Sequence, residues 1–548
     1  MSGSEKTPWW KGAVVYQIYP RSYADTTGSG VGDLEGIKRK LDYVASLGVD
    51  AIWLSPIYPS PNKDFGYDVA DYCDVAPEMG TLDGFDALLA ETHERGMKLI
   101  LDQVLAHSSD QHAWFQESLL SPDNEKANWY VWADAKEDGT PPNNWMSAFG
   151  GPAWSWHPVR RQYYHHKFLR QQPKLNFHEP EAVKALMNVL RFWLDRGVDG
   201  FRLDVAHAYY HDATLADNPP VAMAERSGLN WSHAPRLQEH VHDSGLPENQ
   251  IAMRAVRSVL DEYEDRLAFG EFAETPEMIG TYVGEPDLLH TAYTFDFLED
   301  RSLAPSVFQN YYQDTLKKNG DPWPCVTFSN HDLTRPVTRW GSGRDGDDKL
   351  AKFGLALLLA LKGTVLLYQG EELGLPDVDI ERDQIQDPVG ELYFPFGKGR
   401  DGCRTPMPWI SRAPNAAFTD GEPWLPIPKV HKERAVDVQE AVTDTVLKFA
   451  REAISFRKAH ACLSSGNITF LESSGPVLAF ERLLGGETLT CVFNSSNEAA
   501  VWHGGAASEV ILKGSDSLEF GTGDVSIVGT EIICGPRSAA FFGVPSSS

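Results

Sequence analysis

Three acidic residues, Asp204, Glu271 and Asp332, each stand at the end of a short strand-like run. From Gly200 to His207 the chain reads Gly-Phe-Arg-Leu-Asp-Val-Ala-His. In a strand Phe201, Leu203 and Val205 point one way and Arg202 and Asp204 the other, because side chains alternate. A charged pair on an otherwise apolar strand is costly to bury unless it pairs or takes part in chemistry. Two facing carboxyl groups can cleave a glycosidic bond. One attacks or stabilises the anomeric carbon, and the other, kept protonated, delivers a proton to the leaving oxygen. Arg202 beside Asp204 would hold that carboxylate ionised. The apolar stretch Leu267-Ala-Phe-Gly-Glu-Phe272 would favour the neutral acid of Glu271. The same residues allow a structural reading, in which an ion pair closes a barrel mouth or Asp204 caps the next helix.

The elements that would gather these acids are eight strand-like runs, most preceded by an amphipathic helix. The runs are Val14–Tyr19, Ala51–Ser55, Lys98–Val104, Phe201–Val205, Leu267–Glu271, Ala292–Phe297, Cys325–Ser329 and Val365–Tyr368. Ile37, Leu41, Val44 and Leu47 mark one helix face, stopped by Gly48. Val183, Leu186, Met187, Leu190 and Leu194 mark another, stopped by Gly197. This alternation predicts an α/β fold, a (β/α)₈ TIM barrel whose functional groups lie at the C-terminal strand ends. The expected domains are the barrel over 1–106 and 178–460, an inserted loop-rich subdomain over 107–177 after strand 3, and a C-terminal antiparallel β-sandwich over 461–548.

The insert holds six of the sixteen tryptophans, enough for a small local core or an aromatic platform for a sugar ring. A second long connection, 371–433, would wall the barrel mouth into a pocket. One helix is expected over Ala435–Lys458. Beyond it come short alternating runs, Ile468–Leu471, Val477–Arg482, Leu489–Phe493, Glu509–Leu512 and Ser538–Phe542.

With 49 basic and 77 acidic residues the formal charge is −28, which argues against nucleic acid or anionic membranes as partners. A neutral or cationic small ligand fits. The N-terminus has no apolar signal core, and no apolar run is long enough to span a bilayer. The six cysteines are scattered without CxxC spacing, so a reduced, cytoplasmic protein with free thiols is expected.

Seven motifs recur in order along the chain: Gln17-Ile-Tyr-Pro-Arg-Ser22, Asp64-Phe-Gly-Tyr-Asp68, Asp102-Gln-Val-Leu-Ala-His107, Gly200-Phe-Arg-Leu-Asp204, Gly270-Glu271, Phe328-Ser-Asn-His-Asp332 and Arg404-Thr-Pro-Met-Pro-Trp409. Together they resemble the α-amylase superfamily of glycoside hydrolases, in its α-glucosidase branch, from Trp9 into the C-terminal domain. The resemblance implies a retaining mechanism. Asp204 would be nucleophile, Glu271 acid then base, and Asp332 the holder of the glucosyl 2- and 3-hydroxyls. Asp64, Tyr67, His107, Arg202, His331 and Arg400 would line the same glucose site, with Phe149, Phe168 and Gln172 as further candidates.

The implied activity is exo-acting release of glucose from short α-glucosides, by a monomer or homodimer, with glucosyl transfer as a side activity. Ala206, small and two residues after the nucleophile, implies α-1,4 preference. A glucosyl-transferring or isomerising relative, of the sucrose isomerase or trehalose synthase type, is the rival reading. No cofactor is required for the implied chemistry. The loop Asp25-Thr-Thr-Gly-Ser-Gly-Val-Gly-Asp33 resembles a Ca²⁺ or Mg²⁺ loop with ligands from Asp25, Thr27, Ser29, the Val31 carbonyl and Asp33. Its two hydroxyls are poorer ligands than carboxylates for hard cations. Ala106 stands where the family commonly has an asparagine tied to calcium, and Lys174 where it usually has aspartate.

Overall fold

The computed structural model describes residues 7–222, 235–273, 275–316, 322–341, 347–504, 518–528 and 531–544. Eight parallel strands form one sheet: β1 (Val14–Ile18), β2 (Ala51–Leu54), β3 (Lys98–Gln103), β4 (Gly200–Leu203), β5 (Leu267–Phe272), β6 (Thr291–Thr294), β7 (Cys325–Val326) and β8 (Thr364–Tyr368). Hydrogen-bonded neighbours run β7-β8-β1-β2-β3-β4-β5-β6. The circle closes between β6 and β7, where the Thr291 hydroxyl donates to the Trp323 carbonyl at 2.6 Å. Val15, Trp53, Ile100, Phe269, Tyr293, Cys325 and Leu366 fill the barrel interior as packed layers. A larger core lies between the strands and the outer helices.

Every expected barrel strand is present, but several end earlier than the apolar pattern suggests. β4 stops at Leu203 because Val205 turns into the left-handed region at φ +40°. β6 gives way to the helix Asp296–Glu299. The helix expected over Ala435–Lys458 is two, Val436–Ala441 and Val446–Ala459, because extended Thr445 caps the second through its hydroxyl. Pro180–Asp195 is helical as its apolar stripe requires, with Pro180 in the first turn and buried Leu186, Leu190 and Leu194 on the stripe.

The insert folds around a three-stranded sheet of Trp132–Ala133, Trp154–His157 and Gln162–His165. Trp145 and Trp154 stack at 5.9 Å in its own small core. The C-terminal region pairs a five-stranded sheet with a three-stranded one, with Val477, Val492, Trp502, Ile532, Cys534 and Phe542 among the residues buried together there. The run Glu509–Leu512 lies outside the described residues.

Two buried arginines lie at the seam of this region with the barrel, Arg457 on the last barrel helix and Arg482 on the strand Val477–Leu484. Arg457 donates to the carbonyls of Gly12, Leu359, Leu361 and Gly363, and Arg482 to those of Ala360, Gly466 and Asn467. All six cysteines are free. Among the described residues no helix is long and apolar enough to cross a membrane.

Candidate active site

β3, β4 and β5 pair in register, with Asp102 opposite Arg202 and Arg202 opposite Phe269. Gly200 allows this approach: a Cβ there would lie 2.3 Å from the Leu267 carbonyl oxygen. Arg202, fully buried, then becomes the hub of three carboxyl groups. Its Nη1 donates to Asp102 Oδ1 at 2.8 Å and to Asp204 Oδ1 at 2.7 Å. Its Nη2 pairs with Glu271 Oε1 and reaches the Tyr293 hydroxyl at 3.2 Å. Tyr293 in turn donates to Glu271 Oε1 at 2.8 Å, and the Val205 amide donates to Glu271 Oε2 at 3.2 Å. Asp204 and Glu271 are thus bridged by one guanidinium, although they lie far apart in sequence.

One expectation about surroundings and one about charge are corrected. Glu271 is not in apolar surroundings. Alternation along β5 puts it on the same face as Phe269, toward the barrel interior, where Arg202 and Tyr293 also end. The apolar neighbours Ala268 and Phe272 face the outer core. Asp204 is not held ionised by Arg202 alone. Burial lifts its carboxyl well above the usual range, the charges of Glu271 and Asp102 add to that, and Arg202 only opposes it. Burial opposes the charge on Arg202 as well, but Asp102 and Glu271 outweigh it and keep the guanidinium protonated.

A second cluster rims the mouth. Asp332, partly open to solvent, accepts from Arg404 Nη2 at 2.8 Å and Arg400 Nη1 at 3.2 Å, with His331 Nε2 3.2 Å from its other oxygen. Burial would raise its carboxyl, but His331, Arg400 and Arg404 together hold it well below the usual carboxylate range. Arg400 also donates to Asp64 Oδ1 at 2.6 Å and to Asp387. Gln172 donates to Asp64 Oδ2 at 3.0 Å.

His331 lies flat on Tyr67 at 5.1 Å, and Tyr67 donates to Asp102 Oδ2 at 3.0 Å. His107 contacts the Tyr67 carbonyl and Gln172. Burial drives both histidines down to about 3, so each is neutral near pH 7. Phe168 packs edge-on to His107 at 5.4 Å and to Phe149 at 5.3 Å, and Arg400 lies over the Phe149 ring. The two long connections meet here, where the Tyr393 hydroxyl donates to the Phe149 carbonyl at 3.0 Å.

All the candidate glucose-site residues therefore fall in two linked clusters at one end of the barrel. Residues that the sequence left unassigned also belong there. Tyr293 carries no motif beyond its place near the end of β6. Asp387 sits in a proline- and glycine-rich loop and shows itself only through its grip on Arg400. Arg404 opens a quoted motif, and only the fold turns it toward Asp332.

The loop 25–33 lies elsewhere. Its Asp25 carboxylate accepts from the amides of Thr27, Gly28 and Gly30 and from the Thr419 hydroxyl. Asp33 accepts from Thr26 and caps the helix Leu34–Arg39 through Gly36 N, and the Ser29 hydroxyl donates to the Val31 carbonyl. The oxygens of Asp25, Thr27, Ser29, Val31 and Asp33 are the hard donors that Ca²⁺ or Mg²⁺ takes, with hydroxyls at two of the places where a carboxylate would bind more strongly. Among the described residues no group of three or more His, Cys, Asp or Glu side chains could hold a metal ion.

Comparison with known proteins agrees with this geometry. The family described as alpha amylase, catalytic domain, matches residues 17–466. A probable alpha-glucosidase of Rhizobium meliloti (strain 1021) is 47% identical over 542 residues, covering 97% of this chain and 96% of that protein. An oligo-1,6-glucosidase of Halalkalibacterium halodurans is 37% identical over 527 residues, covering 89% and 90%. The crystal structure of the alpha-glucosyl transfer enzyme XgtA superposes with a TM-score of 0.93 at 42% identity, covering 98% of this chain and 100% of that one. A barrel-mouth cluster of carboxyl groups and this breadth of likeness lead to one assignment: the chain belongs to the α-amylase family and is a glycoside hydrolase of its α-glucosidase branch.

Proposed function

We propose that the chain is a retaining, exo-acting α-glucosidase that releases glucose from the non-reducing end of short α-glucosides, maltose-like α-1,4 links preferred. The observation that carries this is the single guanidinium of Arg202, which pairs with both Asp204 and Glu271 and so brings the two carboxyl groups together at the barrel mouth. One proton on that pair is what double displacement needs. Asp204 attacks the anomeric carbon as its bond to the leaving oxygen breaks, and the Glu271 proton passes to that oxygen. Water then attacks the same carbon, Glu271 takes its proton, and Asp204 departs. Arg202 steadies the carboxylate of Asp204 as it leaves. Asp332, ionised and fixed by Arg400 and Arg404, is suited to accept from sugar hydroxyls.

The meeting of the long connections at Tyr393 and Phe149 supports a closed one-glucose pocket and hence exo action. A sugar hydroxyl replacing water would give transglucosylation, and the likeness to an alpha-glucosyl transfer enzyme supports that side activity. Buried Ala206 supports α-1,4 preference by leaving room beside the next sugar.

The test is turnover of p-nitrophenyl α-glucoside, with NMR of the first-formed anomer and products from maltose, isomaltose and sucrose. Asp204→Asn and Glu271→Gln should each lower kcat by about 10⁴-fold, and α-glucose should appear first. Full turnover by either variant, or β-glucose first, would overturn the mechanism. Faster isomaltose than maltose hydrolysis would overturn only the linkage preference, and a rearranged disaccharide from sucrose would favour the isomerising reading.

A further inference from the structure

Lys174 lies two residues beyond Gln172, on a segment that bridges His107 and also hydrogen-bonds to His165. The side chain is buried, and Nζ donates to the carbonyls of Ala208 and Tyr209, the latter at 2.9 Å. Those carbonyls end the short 3₁₀ turn Ala206–Ala208, which follows directly on Asp204 and Val205. Val205 is β-branched, yet it holds φ +40° and ψ +46°. Such a conformation persists only where neighbours over-determine it.

The turn is held at several of its carbonyls. Ala208 N closes on the Val205 carbonyl at 2.9 Å, and the His207 carbonyl accepts from Gly245 N at 2.9 Å and Asn249 Nδ2 at 2.6 Å. Lys174 supplies a further hold, and it comes from the inserted subdomain, from which Phe177 also stacks on the Tyr209 ring at 4.8 Å. Among the described residues no carboxylate lies within ion-pair distance of its ammonium. Lys167 and Asp243, themselves paired at 2.9 Å, are its charged neighbours. His107, His165, His207 and His211 face it too and are kept neutral by burial.

We propose that Lys174 is a positioning residue for the hydrolysis: by gripping the Ala208 and Tyr209 carbonyls, its ammonium fixes the turn that aims Asp204 at the anomeric carbon and the Val205 amide at Glu271. The inference rests on Asp204 being the nucleophile. Burial, with Lys167 adding and Asp243 opposing, brings the ammonium from its ordinary 10.5 down to about 7, so its charge is lost just above neutral pH. The unfolded chain keeps that proton up to 10.5. Between about 7 and 10.5 this group's contribution to stability therefore rises with pH while the rate falls. Loss of fold would move both the same way.

The experiment measures kcat/KM against pH on a dinitrophenyl α-glucoside, whose leaving group departs without a proton. The acid form of Glu271 then drops out of the first step. The wild-type profile should fall above neutral pH while the chain stays folded by circular dichroism. Lys174→Arg, which stays charged, should abolish that fall. Lys167→Met, which removes a repelling charge, should move it to higher pH. Lys174→Met should lower kcat by about 10²-fold with little change in KM. Should Lys174→Met not fold, the Lys174→Arg and Lys167→Met profiles decide the matter. A wild-type profile that stays flat through the window, or a Lys174→Arg profile identical to wild type, overturns the role of Lys174. Asp204→Asn is assayed alongside: if it turns over like wild type, the nucleophile assignment has failed instead.

Discussion

At the barrel mouth buried Arg202 and Arg404 and half-buried Arg400 pack against carboxyl groups, whereas at the seam with the C-terminal sheets Arg457 and Arg482 are buried against backbone carbonyls. The electrostatic outcomes are opposite. Each mouth guanidinium is held above its ordinary value by the acids around it, although burial pulls the other way. At the seam burial prevails: Arg457 falls to about 9, and Arg482 is lowered too. Burying a cation therefore does not by itself mark a site. What marks the mouth is an excess of carboxyls, Asp64, Asp102, Asp204, Glu271, Asp332 and Asp387, over the guanidiniums that hold them. Such an excess is costly, and together with burial it lifts the carboxyls of Asp102 and Asp204.

Between the two arginine clusters, the largest expected effect comes from breaking the mouth. Arg202→Met leaves Asp102, Asp204 and Glu271 facing one another with no cation between them. The expected result is a fall in kcat/KM on p-nitrophenyl α-glucoside of about 10³-fold. The same change at the seam should separate the two roles. Arg457→Met leaves four buried carbonyls without their donor. It should cost about 3 kcal/mol in urea unfolding. Its kcat/KM should stay within about twofold of wild type, because the seam is remote from the carboxyls. If Arg457→Met slowed turnover as much as Arg202→Met, the contrast between the two regions would be broken.

The same contrast separates what the sequence made legible from what it hid. Period-2 and period-3.6 patterns place all eight strands, because burial imposes them on every barrel element. The early end of β4 was hidden, since an apolar valine at 205 gives no sign of a left-handed backbone. Five of the mouth carboxyls, Asp64, Asp102, Asp204, Glu271 and Asp332, were legible through their motifs, and the protonation of Asp102 and Asp204 was not. That depends on burial and on what faces them across strands, such as Glu271 and Asp102 beside Asp204. The aromatic rings at the barrel mouth include Tyr67, Phe149 and Phe168, while Trp145 and Trp154 went to the insert's own core. Asp387 was invisible because a loop of irregular backbone carries no periodicity to read.

The smallest expected effect is also the most specific to the mouth. Asp102 accepts from both sides: Arg202 reaches its two oxygens, and Tyr67 and Trp53 donate to Oδ2 at 3.0 and 3.3 Å. Burial nevertheless outweighs Arg202 and lifts this carboxyl from 3.8 to about 6. Between those values the folded chain keeps a proton that the unfolded chain has lost. The stability from this group is thus complete below 3.8 and is lost as pH rises toward 6. Asp102→Asn should remove that decline, changing the slope of unfolding free energy by at most about 1.4 kcal/mol per pH unit. Urea titrations at a series of pH values across the window measure it. Arg457→Met should leave the slope untouched, since its folded value near 9 lies outside the window. Parallel curves for Asp102→Asn and wild type would mean that the excess of acids at the mouth is not felt as charge, and the distinction between the two arginine clusters would reduce to geometry.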